Sequence, residues 1–149
     1  MSDTSRSSLV FRLDVDEVGW PPVAAECLPV EKTDAGYFRI EAPPLFLKGI
    51  SVGDCIAVEL DEENYVANWR TVGKSSRSVL WVLKGSAQSV QPSLDRLIAL
   101  GCNLARFEPY QLVSIDVPMT VATADIDLIV SEARAAGAHV AFPSFRHPD

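Results

Sequence analysis

Glu26 stands alone as an acid in the apolar run VAAECLPV, residues 23–30. Apolar surroundings disfavour a carboxylate anion, so such a group drifts upward in pKa towards values useful for proton transfer. On a strand of period 2, Glu26 shares one face with Ala24 and Leu28, while Val23, Ala25 and Cys27 share the other. That mixed face fits a carboxylate held by local hydrogen bonds as well as it fits a general base. The sequence favours the hydrogen-bonding role, because no obvious partner for acid–base chemistry stands near it.

Other residues that could do chemistry are scattered. His139 opens an apolar strand and His147 lies in what reads as a terminal tail. Neither has a carboxylate or cysteine at ligand spacing, so no metal site is expected. A Cys–His nucleophilic pair would need a long-range contact with Cys27 or Cys102. The three cysteines, Cys27, Cys55 and Cys102, are an odd number at wide spacing, which argues against a disulfide framework. Each sits among apolar residues, where a free thiol packs as a small hydrophobe. GISVGD, residues 49–54, is rich in glycine but precedes a strand and lacks the lysine and helix of a phosphate loop. It reads as a turn. GKSSRS, residues 73–78, could hold a small anion and reads better as a polar connection. Asp61, Glu62 and Glu63 form an acidic tip between two strands, a normal turn that would also suit basic side chains of a partner. No cofactor fingerprint is present.

Charge bounds the partners. The 149 residues carry a net charge of -7 at pH 7. All of it lies in residues 1–73, with 13 Asp/Glu against 6 Lys/Arg, whereas residues 74–149 hold 7 of each. Nucleic acid is not expected as a partner, since it needs a basic footprint. A partner that reads charge should be basic and prefer the first half. No run is long and apolar enough for a membrane span, and the start, MSDTSRSS, lacks a signal-peptide core. The expectation is a cytoplasmic monomer or homodimer.

The elements that must position these residues follow from periodicity. Residues 1–8 read as a flexible tail. Leu9, Phe11, Leu13 and Val15 alternate with polar residues and predict a strand, which the Gly-Trp-Pro-Pro run ends. Strands follow at VAAECLPVEK, YFRIEA, CIAVELD and YVANWRTV, separated by turn residues. The first half, residues 9–73, is expected to be a small antiparallel β-sheet or partly open barrel. After a linker at 74–78 the pattern becomes β-α-β-β-α-β over residues 79–149. Pro92 suits the first turn of one helix, with Leu94, Leu97 and Ile98 as its stripe and Gly101 at its end. Thr123 is the expected N-cap of the other, with Asp125 in its first turn, the stripe Ile126, Ile129, Val130 and Ala133, and Gly137 closing it. Two strand–helix–strand units predict a ferredoxin-like plan, so the fold class is α+β.

The placed motifs VFRL, WPPVAAECL, IEAPPLFLKGISVGDCI, SVLWVLK, LIALGC and IDVP run in order from Val10 to Pro118. In this order and spacing the chain resembles the bacterial domain-of-unknown-function family 4265. The resemblance implies no catalytic residues, because that family has no established activity.

Taken together, these features predict a non-enzymatic protein-binding module, most concretely an immunity protein that neutralises a bacterial toxin by masking a basic surface. Asp61, Glu62 and Glu63 would supply charge, Trp20 and Tyr65 aromatic anchors, and Glu26 an interface or buried contact. The alternatives are a small-molecule-sensing regulatory domain and an enzyme using Glu26 as general base.

Overall fold

The computed structural model describes residues 6–148. The expected tail at residues 1–5 lies outside them. Residues 6–8 are not tail: β1 spans Arg6–Arg12, because its first residues pair with Pro29–Glu31 across the sheet. The first half continues with β2 (Ala25–Lys32), β3 (Phe38–Ile40), β4 (Cys55–Leu60) and β5 (Val66–Gly73). These five strands form a closed barrel in chain order. The antiparallel meander was legible, but the closure was not. A parallel bridge between Phe11 and Val66 joins the first strand to the last, so the barrel is not partly open. Its core is Leu9, Phe11, Leu28, Val30, Ile40, Ile50, Ile56 and Val66. Val15, expected inside, is exposed, because β1 stops at Arg12 and the chain leaves the sheet in a loop organised by the Asp16 carboxylate.

The second half contains β6 (Ser78–Leu83), α1 (Gln91–Ala99), β7 (Asn103–Phe107), β8 (Leu112–Val117), α2 (Thr123–Ala135) and β9 (His139–Ser144). It forms a separate four-stranded antiparallel sheet in the order β7-β8-β6-β9. Leu80 and Val82 of β6 and Val113, Ile115 and Val117 of β8 share one core with Leu94 and Leu97 of α1 and Ile126, Ile129, Val130 and Ala133 of α2. The two helices therefore cover one face of the sheet. Pro92 lies in the first turn of α1, and Gly101 and Gly137 follow the helices with φ of 97° and 109°, a region that glycine enters without steric cost.

Two details of the helices differ from expectation. Ile98 is exposed, because Leu94 and Leu97 alone fill the contact with the core. Ala122, not Thr123, is the N-cap of α2. The Thr123 hydroxyl instead donates to the Pro148 carbonyl at 2.6 Å, tying down the C-terminal segment.

The barrel meets the sheet on the face opposite the helices. The Pro44 carbonyl accepts the Trp81 indole N–H at 2.7 Å and the Ser114 hydroxyl at 2.6 Å. Trp81 and Ser114 are cross-strand partners on β6 and β8, so one carbonyl is gripped by two adjacent strands. Beside it, Gly49 N–H donates to the Pro143 carbonyl at 2.9 Å and the hydroxyls of Ser51 and Ser144 meet at 2.7 Å.

Candidate functional site

Glu26 lies on the inward face of β2 with Leu28 and Val30 and is only 6% exposed. The mixed face read from the sequence resolves inward because β2 alternates buried and exposed from Glu26 to Val30. One carboxylate oxygen, Oε2, accepts the Leu45 N–H at 2.5 Å. The other, Oε1, accepts the N–H groups of Phe46 and Leu47 at 2.9 and 3.2 Å. Burial raises the pKa of Glu26, and these three hydrogen bonds pull against that rise without cancelling it.

The consequence is mechanical. Segment 44–47 has no regular partner strand, so its amides need an acceptor. Glu26 supplies it from the barrel side, and Trp81 and Ser114 hold the preceding carbonyl from the sheet side. Phe46, fixed in this way, packs edge-on against Trp20 at 6.0 Å and Phe107 at 5.3 Å. Tyr110 completes the cluster against Trp20 at 5.7 Å and Phe107 at 5.9 Å. Two rings come from each half of the molecule, so the cluster is a second seam across the joint.

A third seam is ionic. Asp54 has no exposed surface and receives both terminal nitrogens of Arg146, with Nη2 to Oδ2 at 2.8 Å. Ser51 and Ser75 N–H groups fill its remaining acceptor sites at 3.0 and 2.8 Å. Burial pushes this carboxyl up, but the Arg146 and backbone hydrogen bonds outweigh it and hold Asp54 below its usual range. Residues 74–78 are fastened here too. Arg77 forms a bidentate pair with Asp116, both distances 2.8 Å, and Asp116 also accepts from Asn103 at 3.0 Å.

His147 is not in a loose tail. It is buried, with Nδ1 2.6 Å from the Ser78 hydroxyl and Nε2 2.9 Å from the Pro118 carbonyl. Since a carbonyl can only accept, Nε2 carries the proton in the neutral ring and Nδ1 accepts from Ser78. Ser78 in turn accepts the Arg146 N–H at 2.7 Å. Ser78 has no exposed surface, so this serine–histidine contact is sealed from any substrate.

The cysteines are free. Cys27 is exposed rather than packed, because it alternates with Glu26 and Leu28 and so points away from the core. Cys102 is buried, and desolvation, with the Asp116 charge second, pushes its thiol up to about 11. It stays protonated at neutral pH, the opposite of an activated nucleophile. Among the described residues no group of three His, Cys, Asp or Glu side chains could hold a metal ion.

Of the six residues nominated from sequence, four come together. Asp61 organises the β4–β5 turn, its Oδ1 accepting the N–H groups of Glu63 and Tyr65 at 2.8 and 3.0 Å. Arg12, at the end of β1, donates from Nε to Asp61 at 2.6 Å and reaches Glu63 at 3.0 Å. Its guanidinium lies 4.4 Å from the Tyr65 ring centre. The hydrogen bond from Arg12 is the main reason that Asp61 is held below its usual pKa. Glu62 is exposed at the same tip. Trp20 and Glu26 belong instead to the joint. Arg12, Arg146, Lys48 and Trp81 were not nominated, since nothing local in the sequence marks them.

The description "Domain of unknown function (DUF4265)" matches residues 26–140. The chain belongs to this family. The segments that carried the resemblance converge in space: WPPVAAECL brings Trp20 and Glu26, IEAPPLFLKGISVGDCI brings Pro44, Phe46 and Asp54, and SVLWVLK brings Trp81 to the same joint. No curated protein matches the chain. Among solved structures, "Novel crystal structure of a hypothetical protein from Neisseria gonorrhoeae" is similar with a TM-score of 0.73 at 14% identity, covering 100% of this chain and 99% of that one. At that identity the likeness concerns the fold. Among the described residues of this family member, no helix is long and apolar enough to cross a membrane.

Proposed function

We propose that this DUF4265 protein is a non-enzymatic binding module whose partner is a basic protein surface, most concretely an immunity protein that masks a bacterial toxin. The supporting observation is the composition of one end of the barrel. The β1–β2 loop carries Asp14, Asp16 and Glu17, and the β4–β5 turn carries Asp61, Glu62 and Glu63. Arg12, the last residue of β1, pairs with Asp61 and Glu63 of that turn, and Lys48 lies at the border of the cluster. Between these carboxylates stand exposed apolar residues, Val15, Val18 and Leu60, with Val18 89% exposed. Apolar contacts inside a charged rim are the usual make-up of a protein interface. The charge would steer a basic partner, and the apolar residues would hold it.

Glu26 supports the non-enzymatic reading in a different way. Both of its oxygens are engaged by backbone N–H groups and the side chain is almost wholly buried, so the carboxylate is turned away from solvent and from a substrate. The second half is read as ferredoxin-like, a reading supported by its strand order and by both helices lying on one face of the sheet.

The test is affinity for the product of the neighbouring gene as ionic strength rises. Binding should weaken steeply between roughly 50 mM and 500 mM salt, as the Debye length shrinks. Replacing Glu62 and Glu63 by Gln should reduce both affinity and salt dependence. A salt-independent affinity would contradict electrostatic steering.

A further inference from the structure

The barrel does not cover the whole sheet face that it docks on. Past Pro44 a cleft of about 310 Å³ remains between the two halves. Its floor is the outer face of β6, β8 and β9, with Trp81, Leu83, Leu112, His139 and Ala141, and its far wall is Trp20 and Lys48 of the barrel half. These floor residues share a face because Trp81 pairs with Ala141, and Leu83 with both His139 and Leu112.

We infer that this cleft is a binding site for a small organic carboxylate with an aromatic or branched apolar body. Three observations converge. The volume sits at the small end of ligand pockets, and most of the lining is apolar or aromatic. The two indoles are held in place before any ligand arrives, Trp81 by its bond to Pro44 and Trp20 by edge contacts to Phe46 and Tyr110. Preset walls lower the ordering cost of binding. The titratable side chains on the lining are Lys48 and His139, with no carboxylate, in a protein of net charge -7. Lys48 makes no ion pair among the described residues. An ammonium at the rim of an apolar slot selects an anionic head over a neutral one. The cleft shares Lys48 with the border of the acidic end, but no carboxylate lines it and its floor is the sheet, so this inference does not depend on the basic-partner reading.

The indole N–H signals of the three tryptophans give the readout. Trp20 and Trp81 line the cleft, whereas Trp69 on β5 does not and serves as reference. Phenylacetate and 4-methylpentanoate are titrated against their neutral amides by NMR. Saturable shifts of the Trp20 and Trp81 signals are expected, with the acids binding about tenfold more tightly than the amides. Lys48→Met, at an exposed position, should remove that preference while the apolar contribution survives. Absence of saturable shifts with every probe would overturn the site. Equal binding of acid and amide, or a preference unchanged in Lys48→Met, would overturn the ligand class. Capture of a basic partner should not weaken in Lys48→Met, which separates failure here from failure of the functional reading.

Discussion

Arg146 and Arg12 each grip carboxylates of the barrel half, but in different surroundings. Arg146 is mostly buried and faces Asp54, which has no exposed surface, inside the joint between the two halves. Arg12 is about half exposed and faces Asp61 and Glu63 at an open turn. Water screens the second cluster and hardly reaches the first. Breaking a buried pair strands a charge away from solvent, whereas an exposed pair contributes little to stability. The comparison divides the acids of this protein into two kinds. Glu26 and Asp54 build the joint, Asp116 fastens the connection between the halves through Arg77, and the carboxylates around Arg12 stand at a turn open to water.

The largest effect should come from Arg146→Met, which leaves Asp54 charged, buried and without its counter-ion. A loss of about 3 kcal/mol in urea unfolding is expected. A loss near zero would place Arg146 with Arg12 and erase the distinction. Adding Asp54→Asn to Arg146→Met should restore part of the stability, because it removes the stranded charge.

Next comes Glu26→Ala, which orphans three backbone N–H groups and should cost about 2 kcal/mol. Glu26→Gln keeps one acceptor oxygen but sets an amide N–H₂ against a backbone N–H, and should cost about 1 kcal/mol.

The pH dependence sharpens the same division. Asp54 has a lowered folded-state pKa, so its contribution is present above the ordinary aspartate value and lost as pH falls through the lowered one. Acid unfolding followed by circular dichroism should therefore be shallower in Asp54→Asn than in the parent. Glu26 has the opposite sign. Its raised pKa gives a contribution present below the unfolded value and lost as pH rises through the folded one. The deficit of Glu26→Gln against the parent should accordingly shrink from acid towards neutral pH.

The smallest effect on stability belongs to Arg12→Met, which should leave the melting temperature unchanged. It should nevertheless raise the affinity for a basic partner at low salt, since it removes the guanidinium from inside the acidic cluster. A clear drop in melting temperature would mean that the Arg12 cluster is structural after all.

Periodicity located every strand and both helices, because alternation and the 3.6-residue stripe are local properties. Ile126, Ile129, Val130 and Ala133 on α2 could be placed inside from spacing alone, whereas the inward face of β2 could not. The joint could not. Arg146 lies 92 residues from Asp54, and Ser114 lies 70 from Pro44, so neither contact leaves a trace in a local window. His147 was misplaced for the same reason, since its partner Ser78 is 69 residues away. Glu26 was found because an isolated acid in an apolar run is visible. Its hydrogen-bonding role was expected too, but its partners were not, since the amides that donate to it lie on a segment without regular structure. The acidic turn was legible as composition, but the arginine that organises it comes from β1.

The central claim is that the Glu26 carboxylate holds segment 44–47 and, through it, the joint. Backbone hydrogen exchange at Leu45, Phe46 and Leu47, compared between the parent and Glu26→Gln, tests it most directly. The account predicts amides protected in the parent, although they belong to no helix or strand, and faster exchange at all three in the variant. Fast exchange in the parent, or protection unchanged in the variant, would contradict it.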